Sequence, residues 1–112
     1  MNYPKGTGNP SAQINGTSYS ADELYKTQPD SFADRSRINS MKDAILADGP
    51  DAVPPIPVRV HNGQALIVDG HHRFQAFVEL GYDRVPIKYI SENQISSQFG
   101  RTLQELLNMM FK

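Results

Sequence analysis

The chain has 112 residues, enough for one domain with one modest core, and a formal net charge of −1, which excludes the overall basic footprint of a non-specific nucleic-acid binder but not a local basic patch. Cysteine is absent, and with it disulfides, thiolate metal sites and cysteine nucleophiles. No apolar run approaches the roughly 20 residues that span a bilayer, so a soluble protein with no membrane partner is expected, and with no signal peptide at the start of the chain any export signal is expected on a larger parent.

Residues 1–13 are rich in Gly, Pro, Asn and Ser and can bury little apolar surface. They predict a flexible lead-in or linker, followed by a single domain over residues 14–112. Gln13 to Tyr19 is expected as a first short strand. Ser20-Ala21-Asp22-Glu23 has the form of a capping box, in which the Ser20 hydroxyl and the Glu23 carboxylate each satisfy a backbone N–H. A short helix over Ala21 to Lys26 should follow, stopped by Pro29. Asp34-Arg35-Ser36-Arg37 leads into a second helix with Ile38, Met41 and Ile45 on one face and Leu46 beside them. Asp48-Gly49-Pro50 ends it. Pro54, Pro55 and Pro57 then force extended backbone, and Ile56, Val58 and Val60 alternate as in a half-buried strand. Asn62-Gly63 is the favoured two-residue hairpin turn, because both residues tolerate positive φ. The continuous apolar run Ala65-Leu66-Ile67-Val68 makes the second arm of this hairpin an inner strand. A helix from about His71 to Leu80 should bury Phe74, Phe77 and Val78 and end at Gly81. Val85 to Ile90 forms a third strand, and Ser91 caps a short helix. Thr102-Leu103-Gln104-Glu105, a second capping box, opens a last helix with Leu103, Leu106, Leu107 and Met110 inward. The sum is an α+β domain, a small mixed β-sheet with helices packed on it.

The chemistry concentrates in Asp69-Gly70-His71-His72-Arg73. Here a buried strand ends and a helix begins within about two residues. The first four N–H groups of a helix have no partner inside it, and the helix dipole adds roughly half a positive charge, so the junction suits phosphate. Gly70 has no β-carbon and lets a ligand approach the backbone. Arg73, one turn in, offers a planar fork of donors matched to phosphate oxygens. His71 and His72 add ring nitrogens that titrate near neutral pH. Asp69 by itself would serve as an ordinary helix N-cap, but two adjacent histidines and an arginine go beyond what a cap requires.

A histidine-bound zinc is not expected. Neighbouring helical residues point about 100° apart and converge poorly on one ion, and His61 adds no metal-binding spacing. Magnesium carried by a nucleotide needs only one or two protein carboxylates, and Asp69 is the nearest. Arg35 and Arg37 form a second basic cluster. Placed at a helix start they oppose the dipole, a local cost that points to a ligand role. Lys88 and Arg84 read as surface residues, and Tyr19, Tyr25 and Tyr82 as half-buried structural tyrosines.

From about Ile56 to Ile90 the sequence resembles the ParB/sulfiredoxin superfamily. The resemblance rests on Pro57-Val58, the hairpin, Ile67-Val68-Asp69-Gly70-His71-His72-Arg73, then Ala76, Gly81 and Val85-Pro86. In that family an extended strand leads into a Gly-x-x-Arg motif at a helix start, and the motif contacts nucleotide phosphates. Sulfiredoxins carry Gly-Cys-His-Arg there, ParB proteins Gly-Glu-Arg-Arg. The resemblance implies a nucleotide site formed by Gly70, His71, His72 and Arg73, completed by Arg35 or Arg37 from the upstream segment. Without a motif cysteine it does not extend to sulfiredoxin chemistry. Domains that look like this also occur as toxic tips of large secreted bacterial proteins, which would make an immunity protein a partner and the bacterial cytoplasm the place of action. The expected function is an enzyme on phosphate esters, by ATP hydrolysis or phosphoryl transfer. In it His72 would be the general acid or base with His71 beside it, and Asp69 would hold magnesium. The alternatives are a nuclease cleaving DNA or RNA and a non-catalytic nucleotide- or DNA-linked binding module.

Overall fold

The computed structural model describes residues 10–29 and 33–112. A five-stranded mixed sheet runs in the order β1-β5-β3-β4-β2. Its strands are β1 (Ser18–Ser20), β2 (Leu24–Tyr25), β3 (Ile56–His61), β4 (Gln64–Ile67) and β5 (Arg84–Tyr89). The helices are α1 (Arg35–Asp48), α2 (His71–Glu79), α3 (Glu92–Phe99) and α4 (Leu103–Met109). This is the α+β architecture read from the sequence.

β4 organises the molecule. It pairs antiparallel with β3 and parallel with β2, so it is an inner strand. Alternate side chains of a strand point to opposite faces. Ala65 and Ile67 therefore join Ile38 and Ile45 of α1 and Phe74 and Phe77 of α2 in one core. Leu66 and Val68 join Ile95 of α3 and Leu106 of α4 in the other. A strand with a core on each side needs the unbroken apolar run that the sequence supplies. The hairpin register pairs His61 with Gln64, and the turn between them holds Asn62 at φ 52° and Gly63 at φ 76°.

The capping signals at Ser91 and Thr102 form, and Asp34 caps α1. The Asp34 carboxylate accepts the N–H groups of Ser36 and Arg37, and Ser91 and Thr102 each make the reciprocal bonds of a capping box. The box at Ser20 does not form. Its hydroxyl makes no cap bond, a single 3-10 turn (Ala21–Glu23) replaces the expected helix, and Leu24–Tyr25 becomes β2. Magnitudes explain the outcome. Burying Leu24 is worth roughly 1.5–3 kcal/mol, whereas a Ser cap is worth about 1, and β4 offers Leu24 and Tyr25 a parallel ladder against Ala65 and Leu66.

Three smaller expectations are also corrected. Val78 and Leu46 are exposed, because α1 and α2 bury narrower stripes than their sequences suggest. The first strand starts at Ser18 and pairs antiparallel with β5. Pro10–Gln13, placed in the lead-in, forms a 3-10 turn with Pro10 buried, and Ser11 Oγ accepts the Arg84 N–H at 3.0 Å. Residues 1–9 of the lead-in lie outside the described residues. No helix among the described residues is long and apolar enough to cross a membrane.

Candidate functional site

At the end of β4 the chain turns through Asp69 and Gly70 into α2. Gly70, not Asp69, is the N-cap. It sits in the left-handed region at φ 82°, ψ 30°, and no side chain caps the helix. A β-carbon at Gly70 would stand 2.9 Å from the guanidinium of Arg73. Glycine is therefore required both by the backbone conformation and by the arginine packed against it.

The Arg73 guanidinium lies against Gly70 at the start of α2 and is engaged by groups of the chain itself. Nη1 donates to the carbonyls of Pro54 and Pro55, each at 2.9 Å, and Nη2 lies 3.8 Å from the Asp69 carboxylate. Burial lowers its pKa and Asp69 opposes that shift. Arg73 thus fastens the proline segment that opens β3 to the turn that opens α2.

The two histidines face the segment between β2 and α1. His71 Nε2 accepts the backbone N–H of Thr27 at 3.0 Å, and His72 Nε2 accepts that of Asp34 at 3.0 Å. A neutral imidazole has one lone-pair nitrogen. With that lone pair on Nε2 engaged, each neutral ring carries its proton on Nδ1, and no other described residue bonds to either Nδ1. Burial, with the positive charge of Arg101 next in weight and Asp69 in opposition, pushes the His71 pKa down to about 4. His71 is therefore neutral at physiological pH.

A cleft of about 360 Å³ opens beside these rings, a size within the range of small-molecule sites. Among the described residues, Lys26, Gln28, Arg35, His71, His72 and Gln75 supply its polar lining, and none of the described lining residues is a carboxylate. Of the residues the sequence nominated, His71, His72 and Arg35 meet here. Gly70, Arg73 and Asp69 form the turn behind the cleft, and Arg37 is exposed outside it. Arg35 is held at the rim by Glu79, whose Oε1 accepts from Arg35 Nη1 at 2.6 Å and from Lys42 Nζ at 3.0 Å, while Gln75 bonds Oε2. The hydrogen bond from Arg35 is the largest cause that holds the Glu79 pKa down to about 2. Among the described residues no three His, Asp or Glu side chains converge as a metal site. Asp69 is an exposed carboxylate at the turn.

Sequence reasoning missed Lys26, Thr27 and Arg101. Lys26 was assigned to a helix. It instead continues past β2, where its backbone exchanges two hydrogen bonds with Phe111, at 2.6 and 2.8 Å. Tyr82, read as a half-buried structural tyrosine, is buried edge-to-face on Phe77 at 4.9 Å between ring centroids.

Known proteins share this fold. Over 64 residues, 51% of the chain, the sequence is 41% identical to an ATP-dependent L-serine kinase of Staphylothermus marinus, and it spans 24% of that protein's length. The fold is that of sulfiredoxin from Arabidopsis thaliana, at a TM-score of 0.58 and 20% identity over 67% of this chain and 83% of that one. It is also that of a free serine kinase variant in complex with ADP, at a TM-score of 0.56 and 20% identity over 81% of this chain and 37% of that one. The family model of the ParB N-terminal domain matches residues 8–101, and the chain belongs to that family.

Proposed function

We propose that the cleft binds the phosphates of a nucleotide and that the domain transfers or hydrolyses the terminal phosphoryl group. The observation that carries this reading is the uncapped N-terminus of α2 opening beside a cleft lined by Lys26, Arg35 and two imidazoles. Backbone N–H groups and the helix dipole would take the phosphate oxygens, and the two Nδ1–H donors and the cations would add charge-assisted bonds. The identity to an ATP-dependent kinase over half the chain supports a nucleotide substrate.

In transfer, a hydroxyl or water oxygen bonds to the terminal phosphorus. The bond from phosphorus to the bridging oxygen breaks, and its electron pair leaves with the nucleoside diphosphate. Lys26, Arg35 and the α2 N–H groups stabilise the charge that develops on the phosphoryl oxygens. Asp69 would hold magnesium brought by the nucleotide. His72 can take the acceptor's proton on Nε2 only by releasing the Asp34 N–H, so in the described geometry it donates through Nδ1 and the proton leaves to solvent.

That same engagement of both histidine lone pairs favours a second reading, a binding module in which nucleotide occupancy is read by the β2–α1 segment. Calorimetric titration of ATP, CTP and GTP with magnesium, on wild type and Lys26→Ala, followed by a phosphate-release assay, separates the two. Binding weakened in Lys26→Ala with slow turnover is the expected result. Binding without turnover supports the second reading, and no binding to any nucleotide overturns both.

A further inference from the structure

We propose that Arg101 is a positioning residue of the cleft: it ties the ends of β2 and β4 together, holds the Thr27 N–H on His71, and so fixes that imidazole as an Nδ1–H donor. Arg101 lies on neither wall of the cleft. It stands in the connection between α3 and α4, directly after Gly100, whose φ of +64° turns the chain out of α3. Its guanidinium forks between two carbonyls, with Nη1 donating to Val68 O at 2.9 Å and Nη2 to Thr27 O at 3.0 Å.

Those carbonyls lie just past the last parallel pair of β2 and β4, Tyr25 with Leu66, where the ladder supplies no further partner. The guanidinium replaces the missing rungs with two donors held in one plane. Thr27 is fully buried, and every polar group it has enters this arrangement. Its hydroxyl donates to Ile67 O, its carbonyl accepts from Arg101, and its N–H donates to His71 Nε2 at 3.0 Å. An imidazole held in this way has a fixed tautomer. Without Arg101, the Thr27 and Val68 carbonyls lose their donor, Thr27 is released, and the ring is no longer required to keep its proton on Nδ1. A lone pair would then replace a donor beside the phosphate oxygens. This functional consequence rests on the proposed phosphate reading, whereas the structural claim does not.

The test is nitrogen NMR of the full chain at neutral pH. In wild type, a nitrogen–nitrogen coupling across the Thr27 N–H to His71 Nε2 bond and the ring shifts of a pure Nδ1–H tautomer are expected. In Arg101→Met the coupling should vanish and the tautomers mix. Arg101→Lys keeps the charge but not the fork and should restore only part of the coupling. Calorimetry on the same samples should show Mg·ATP affinity falling about ten- to hundredfold in Arg101→Met, the loss of one charge-assisted donor. The proposal is overturned by a wild type that lacks the coupling, or by a folded Arg101→Met that keeps both coupling and tautomer. Should Arg101→Met not fold, an unchanged coupling in Arg101→Lys overturns it equally. A wild type that shows the coupling but binds no nucleotide overturns the phosphate reading and leaves the positioning role standing.

Discussion

The two walls of the cleft are held by different kinds of contact. The α2 wall is fastened from nearby in the chain: Gly70 and Arg73 lie three residues apart, and the prolines that Arg73 grips are 18 and 19 residues away. The β2–α1 wall is fastened from far off. Thr27 is bonded to His71, 44 residues on, and to Arg101, 74 residues on, and Asp34 to His72, 38 residues on. The first wall is a property of one β-hairpin and its helix. The second exists only when both ends of the chain are in place. Damage to the first should therefore register mainly as lost stability, and damage to the second mainly as lost ligand geometry.

The largest effect is expected at Gly70. In Gly70→Ala the left-handed backbone and the contact with the Arg73 guanidinium together cost about 3 kcal/mol, read as a lower urea midpoint at unchanged slope. Arg73→Ala should follow at about 2 kcal/mol, because the Pro54 and Pro55 carbonyls lose a charged donor. The pair should be less than additive, since the alanine at 70 already displaces the guanidinium. A stable Arg73→Ala whose nucleotide affinity alone has dropped would break the comparison, and would return Arg73 to the phosphates where the family pattern puts it.

This division also decides what could be read from the sequence. The hairpin from Ile56 to Ile67, the Asn62-Gly63 turn, the start of α2 and the caps at Ser91 and Thr102 obey rules spanning two to four residues. Each was legible. The stretch from Ser20 to Tyr25 carried an equally good local signal, and it was overruled because Leu24 is worth more against β4 than Ser20 is as a cap. In the site, His71 and His72 were visible as a pair, but the direction of their rings depends on backbone groups far away. Arg101 carried no signal at all. It is one arginine beside a glycine and a capping box, and its role comes from two carbonyls that only the finished sheet brings within its reach.

Thr27→Val tests the distant wall at the lowest structural cost. It keeps the N–H that His71 accepts and removes the hydroxyl that bonds Ile67 O, so stability should fall by about 1 kcal/mol. Nucleotide affinity should fall proportionally more than in Arg73→Ala. Equal ratios of lost affinity to lost stability in the two variants would erase the distinction between the walls.

The smallest expected effect, and the sharpest in its pH signature, comes from titration. His71 has a folded pKa of about 4 against an ordinary 6.5, so between those values the unfolded chain binds the proton that the folded chain refuses. Stability should be complete above pH 6.5 and decline as the pH falls to 4. Glu79, held at about 2 against 4.5, contributes stability that is present above pH 4.5 and lost as the pH falls toward 2. Its partner Arg35 is exposed, and screening keeps this second contribution modest. Thermal melts of wild type, His71→Gln and Glu79→Gln across pH 2 to 7 should resolve the two windows. His71→Gln should flatten the upper one alone, and Glu79→Gln the lower one alone. In the folded chain the His71 ring stays neutral through the upper window, so Mg·ATP affinity at constant ionic strength should hold there and fall only as the pH reaches about 4, where the folded ring itself takes the proton and the bond that closes the distant wall is lost. An affinity that falls no further in wild type than in His71→Gln as the pH passes 4 would mean that the Thr27 to His71 bond fastens the fold without shaping the cleft.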